Sequence, residues 1–215
     1  MSSGVRYYDR LFKVVVIGIA NVGKTSLTRV FCGEEFKVTE LATIQRELFT
    51  TYFKKEKMSI KIDIYDTAGS ERYALLTKSY LRAASGIVLV YDANNPKSLG
   101  QSVEIYKQVI DEDPEFTPSV ILVGGKSDLG VRVSKSEIDS IGDSVKYFNH
   151  VITSAKTGEN VECIFEMLID NMLENELALM PRSRSYGRLG LTGDSETSLR
   201  GDRKNRKKGG CCVIL

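Results

Sequence analysis

The sequence is poor in the residues that build metal centres and disulfide frameworks. Its 215 residues include one histidine, His150, and four cysteines. A lone imidazole, read as incidental, argues against a zinc-type metal site. Cys32 and Cys163 lie in apolar helical stretches and are expected as buried thiols. Cys211 and Cys212 are neighbours, which rarely pair with each other, so a secreted disulfide scaffold is excluded and a reducing compartment fits. No apolar run approaches membrane-spanning length. Val14-Val15-Val16-Ile17 is too short for a signal core and follows Arg6, Asp9, Arg10 and Lys13. Ser2 stands where N-myristoylation needs glycine. Internal repeats are also missing.

What is present belongs to one ordinary domain with chain to spare. The net charge of +2 hides a division. Residues 181–215 carry nine Lys/Arg against three Asp/Glu, whereas residues 1–180 carry 21 against 25. An acidic body with a basic tail points to an anionic surface as partner.

The pattern along the body alternates strand and helix. Leu11–Ile17 reads as a buried strand. Phe49–Phe53 and Ser59–Tyr65 read as two strands joined by Lys54-Lys55-Glu56-Lys57. In the second, Ile60, Ile62 and Ile64 alternate with Lys61 and Asp63, the period of a half-buried strand. Gly86–Tyr91, Val120–Val123 and Val151–Thr153 complete six strands. A helix is expected to start at Thr25–Phe31, with further helices over Glu71–Arg82, Lys97–Ile110, Lys135–Ile141 and Val161–Met180. The expected fold is α/β, a mostly parallel six-stranded sheet with helices on both faces. Residues 181–210, rich in Ser, Gly, Arg and Lys, read as a disordered linker.

Gly18-Ile19-Ala20-Asn21-Val22-Gly23-Lys24-Thr25 matches G-x-x-x-x-G-K-[ST], with a strand before it and a helix after it. Backbone N–H groups of such a loop wrap phosphates, aided by the helix N-terminus. Lys24 would reach the terminal phosphates, and the Thr25 hydroxyl would bind Mg2+. Asn21 falls where glycine is usual; asparagine is among the side chains best able to take positive φ.

Four further segments carry a resemblance to the Ras-like small GTPases. Asp66-Thr67-Ala68-Gly69 resembles D-T-A-G. Thr43 follows Thr25 by 18 residues, as the switch I threonine of that family does. Gly125-Lys126-Ser127-Asp128 resembles N-K-x-D, and Thr153-Ser154-Ala155-Lys156 resembles the S-A-K loop. Within the superfamily, Arg72-Tyr73-Ala74-Leu75-Leu76-Thr77 and Tyr80-Leu81-Arg82-Ala83-Ala84-Ser85-Gly86 resemble Rab segments, and the Rho-type insert between Asp128 and Ser154 is missing. The similarity spans about residues 11–178.

The resemblance implies a G domain over 11–178, after an extension over 1–10 and before a basic hypervariable tail over 179–215. It implies GTP or GDP and Mg2+ as ligands, with Thr25, Thr43 and Asp66 on the metal. Ala20, Asn21, Val22, Gly23, Lys24, Thr25, Ser26, Thr43 and Gly69 would surround the phosphates. Phe36, Gly125, Lys126, Asp128, Ser154, Ala155 and Lys156 would surround the base. Asp128 reads guanine because a carboxylate accepts from both N1–H and the 2-amino group, donors that adenine does not offer in that arrangement. Lys24, Thr43, Gly69 and Ser70 are the expected catalytic set.

The departures are specific. Ser70 replaces the glutamine that orients the attacking water, so slow intrinsic hydrolysis is expected. Ala20 sets a methyl group where an arginine finger enters. Gly125 replaces an asparagine that bonds the guanine and braces the phosphate loop. Gln45-Arg46-Glu47-Leu48 replaces G-V-D-F, and Leu48, Tyr65 and Tyr80 replace the aromatic triad of partner recognition. This marks a divergent Rab.

Cys212-Val213-Ile214-Leu215 is a C-a-a-X box whose final Leu points to geranylgeranyl, and Cys211-Cys212 resembles a Rab double-cysteine ending. The run Arg203-Lys204-Asn205-Arg206-Lys207-Lys208 alone could serve nuclear import or nucleic acid; beside prenylatable cysteines it reads as a membrane patch. The reading is therefore a monomeric GTP-hydrolysing switch in vesicle traffic, on the cytosolic face of endomembranes. Its expected partners are an exchange factor, an activating protein, effectors, a prenyl transferase and a GDP-dissociation inhibitor, but not nucleic acid. A hydrolysis-poor recruiter is the alternative. A P-loop kinase would need an Arg-rich lid, and the body offers none.

Overall fold

A computed structural model describes residues 7–38, 47–67, 84–110, 116–142 and 144–179. Its six strands are β1 (Arg10–Ile17), β2 (Glu47–Lys55), β3 (Met58–Asp66), β4 (Gly86–Asp92), β5 (Ser119–Gly125) and β6 (Asn149–Ile152). The helices are α1 (Lys24–Phe31), α2 (Pro96–Ile110), α3 (Lys135–Ser140) and α4 (Val161–Leu179), with a 3-10 turn over Ser127–Leu129. The sheet order is β2-β3-β1-β4-β5-β6; β2 is antiparallel to β3 and every other pairing is parallel.

Strand periodicity divides the interior into two cores. Val14 and Val16 of β1 join Ile60, Ile62 and Ile64 of β3 beneath α1 and α4. Val15 and Ile17 of the same strand join Ile87, Leu89 and Leu122 beneath α2. Successive side chains on a strand point to opposite faces, so a strand covered on both sides must be apolar throughout. Helix α1 ends against α4 through Phe31 and Phe165, whose rings stack at 3.7 Å between centroids. Helix α4 also presses on Gly86, where a Cβ would lie 2.8 Å from Met172 Sδ.

Most expected elements are observed, with bounds shifted by a residue or a few. The clearest difference is β6, expected over Val151–Thr153 and observed over Asn149–Ile152. Asn149 and His150 do not look like strand residues, yet they pair with Ile121 and Leu122 of β5. His150 accounts for itself: its Nε2 lies 2.9 Å from the Tyr91 hydroxyl, and burial pulls its pKa down. The Cys163 side chain is buried, whereas Cys32 is only half-buried, a correction that follows from its position at the C-cap of α1. The helix expected over Glu71–Arg82 lies outside the described residues.

Candidate functional site

The carboxyl ends of β1, β4, β5 and β6 deliver four loops to one edge of the sheet, the edge at which open α/β sheets bind ligands. Between these loops lies a cavity of about 440 Å³. One end is lined by Ala20 to Leu27, and the other by Phe36, Gly125, Lys126, Asp128, Leu129, Thr153, Ala155 and Lys156.

The phosphate loop owes its curl to three positive φ values: 148° at Gly18, 64° at Asn21 and 99° at Gly23. A Cβ on Gly18 would stand 2.2 Å from the Val90 carbonyl oxygen, so the loop can lie against β4 only with glycine there. Asn21 adopts the left-handed conformation that its sequence position demands. Helix α1 begins directly after this curl. It has no side-chain N-cap bond and no acidic residue in its first turn, which suits its N-terminus to an anion.

Lys24 is the chemical centre of this end. Its side chain is buried, and its Nζ donates to the carbonyls of Gly18 at 3.0 Å and Ile19 at 2.8 Å. Burial pulls its pKa down to about 8, against a smaller upward pull from Asp66. A cation so desolvated gains strongly from an arriving anion. Beside it, Thr25 Oγ1 donates to Asp66 Oδ2 at 2.5 Å. A hydroxyl and a fully buried carboxylate are hard oxygen donors. They suit Mg2+, which takes one or two protein oxygens and fills the rest of its octahedron with water and phosphate. Among the described residues no cluster of three or more His, Cys, Asp or Glu offers another metal site.

At the opposite end Asp128 is held from two sides. Ser154 Oγ donates to Asp128 Oδ1 at 2.7 Å, and Lys156 Nζ lies 3.7 Å from Oδ2. Lys126 sits at a φ of 62° and sends its Nζ to Asp92 Oδ2 at 2.8 Å. Ser127 Oγ reaches Glu159 Oε2 at 3.1 Å, and Thr153 Oγ1 donates to the Glu159 carbonyl, so the two base-end loops are tied together. Gly125 ends β5 beneath the phosphate loop, where a Cβ would lie 3.0 Å from the Val22 carbonyl oxygen.

The structure thus gathers Ala20, Asn21, Val22, Gly23, Lys24, Thr25, Ser26, Phe36, Gly125, Lys126, Asp128, Ala155 and Lys156 around one cavity. Ser154 and Asp66 are the exceptions: both are fully buried, Ser154 behind Asp128, which it orients, and Asp66 behind Thr25, from which it accepts, while Thr153 lines the wall instead. Thr43, Gly69, Ser70, Cys211 and Cys212 lie outside the described residues. Sequence reasoning passed over Asp92 and Ser102. An acid closing an apolar strand was the available signal for the first, and a serine on the apolar face of a helix for the second.

The Ras family profile matches residues 13–174. The Ras-related protein Rab-1 of Theileria parva is 35% identical over 163 residues, which cover 75% of this chain and 74% of the relative. Rab-13 of Mesocricetus auratus is 32% identical over 206 residues, covering 94% and 96%. Rab-11.1 of Caenorhabditis elegans is 31% identical over 207 residues, covering 96% of each chain. The chain belongs to the Ras family and, within it, to the Rab small GTPases, which bind GTP and GDP with Mg2+, hydrolyse GTP and act in vesicle traffic.

Proposed function

We propose that the cavity binds a guanine nucleotide with its phosphates on Ala20–Ser26 and its base against Phe36, Lys126, Asp128 and Ala155. The observation that carries this is the pairing of opposite charges across one cavity. A buried, carbonyl-held Lys24 stands at the phosphate end, and a carboxylate aimed by Ser154 stands at the base end. Mg2+ would be held by Thr25, Asp66 and Thr43, where it supplies neutralisation of phosphate charge. Lys24 would extend its ammonium toward the β- and γ-phosphates, and the Gly69 N–H would serve the γ-phosphate. In the GTP state these contacts order the switch segments that effectors read; loss of the γ-phosphate releases them.

Binding by the purified chain tests the site. GTP and GDP should bind tightly and ATP should not. Asp128→Asn should weaken guanine nucleotides and favour xanthine nucleotides, whose 2-oxo group needs a donor. ATP binding as tight as GTP binding in the wild type would overturn the assignment.

Ser70 sets the intrinsic rate low, because its side chain is too short to place the attacking water and misplacement costs rate directly. In single-turnover hydrolysis Ser70→Gln should be faster than wild type by about tenfold, about 1.4 kcal/mol of barrier. Equal rates would remove Ser70 as the cause. An activating protein completes the site from outside, and an exchange factor reopens it. The chain is attached to the cytosolic leaflet of endomembranes through prenyl groups on Cys211, Cys212 or both, with the basic run Arg203–Lys208 adding about 1 kcal/mol per charge near anionic lipid. This attachment requires a prenyl transferase and allows retrieval by a GDP-dissociation inhibitor. No described helix is long and apolar enough to cross a membrane.

A further inference from the structure

A fully buried serine holds the phosphate loop from behind. Ser102 lies in the middle of α2, on the side that carries Leu99, Val103 and Tyr106 into the core. A hydroxyl there costs free energy unless its bonds are made. Serines inside helices commonly bond back to the carbonyl four residues earlier. Ser102 instead reaches out of its helix, donating to the Val90 carbonyl at 2.9 Å and accepting from the Ile19 N–H at 3.3 Å.

Those two partners give the contact its meaning. The Ile19 N–H and the Gly18 carbonyl are opposite ends of one peptide group. That carbonyl accepts from Lys24 Nζ at 3.0 Å. Ser102 therefore sets the plane of the peptide that holds the buried ammonium. Its other partner, the Val90 carbonyl, is the group on which Gly18 packs. One hydroxyl fastens the start of the phosphate loop to β4 and aims a carbonyl at Lys24. On the loop's other flank, Gly125 has no side chain with which to brace it.

We propose that Ser102 is a positioning residue for nucleotide retention, acting through the Gly18–Ile19 peptide on Lys24. The inference deepens the phosphate site proposed above and rests on it. The test uses the full chain loaded with N-methylanthraniloyl-GDP and Mg2+, chased with unlabelled GDP. Ser102→Val and Ser102→Thr have the same shape and differ by the hydroxyl. Ser102→Val should release the labelled GDP about three- to tenfold faster than wild type, the range of one net hydrogen bond. Ser102→Thr should stay within about twofold of wild type, a rescue that a purely structural role does not predict when both variants melt at the same temperature. Ser102→Ala adds no volume and should follow Ser102→Val in direction, which covers a valine variant that fails to fold. Equal release by the Val and Thr variants, or wild-type release by the Ala variant, would overturn the role of Ser102. Failure of the wild type to bind the labelled GDP would instead overturn the nucleotide assignment.

Discussion

At position 21 an asparagine holds a φ of 64°, and at position 125 a glycine stands where a side chain would touch the phosphate loop. The first was legible in the sequence, because asparagine is one of the few residues that tolerate the left-handed region. The second was legible only as a missing asparagine. The sequence does not reveal that the Val22 carbonyl lies so close to Gly125 that a Cβ would meet it at 3.0 Å. A new side chain must therefore move the loop by a few tenths of an ångström before its amide can bond anything. Two variants separate these effects. Gly125→Ala should speed GDP release, because it brings the crowding without an amide. Gly125→Asn should release GDP more slowly than Gly125→Ala by about two- to tenfold, since each regained bond is worth about 0.5–1.5 kcal/mol. Nucleotide-release traces for the pair check this, and identical traces would show that the amide finds no partner.

Helices and strands were legible to the degree that one rule decided them. The alternation in β3 and the apolar runs of β4 and β5 reflect burial on one or both faces, and the structure places them accordingly. Strand β6 was misplaced because half of it is polar: its pairing with β5 comes from tertiary context, which no local pattern carries. Which helix meets which was equally hidden. The stack of Phe165 on Phe31 joins α4 to α1, the helix that begins at Lys24. Phe165→Ala should cost about 3–5 kcal/mol, as for a large buried aromatic ring. Urea unfolding of the GDP-loaded chain is the measurement, and a midpoint within error of wild type would show that the two helices do not depend on this contact.

The arrangement of the whole domain separates the pocket from the exit of the chain. Helix α4 starts just after the loop of Thr153, Ala155 and Lys156 that lines the cavity and runs 19 residues back along the sheet, about 28 Å. Near its end Glu176 Oε2 meets Arg10 Nε at 3.0 Å, at the first residue of β1. The described chain therefore ends, at Leu179, on the side of the sheet opposite the loops that line the cavity. Changing both Cys211 and Cys212 to Ser should move the protein from the membrane to the cytosolic fraction without altering GDP affinity; membrane association of that variant after fractionation would exclude the lipid anchor. The Arg10–Glu176 pair also has a mechanical consequence. In a chain anchored as proposed above, a pull on the tail would reach the described residues at the last turn of α4. An exposed ion pair of small net strength would bear it first, the bond from Asn175 Nδ2 to Ser119 Oγ at 2.9 Å next, and the packing of Met172 and Leu168 over Gly86 after that. Tension would peel the end of one helix while the loops proposed to grip base and phosphate, a full helix length away, stay slack.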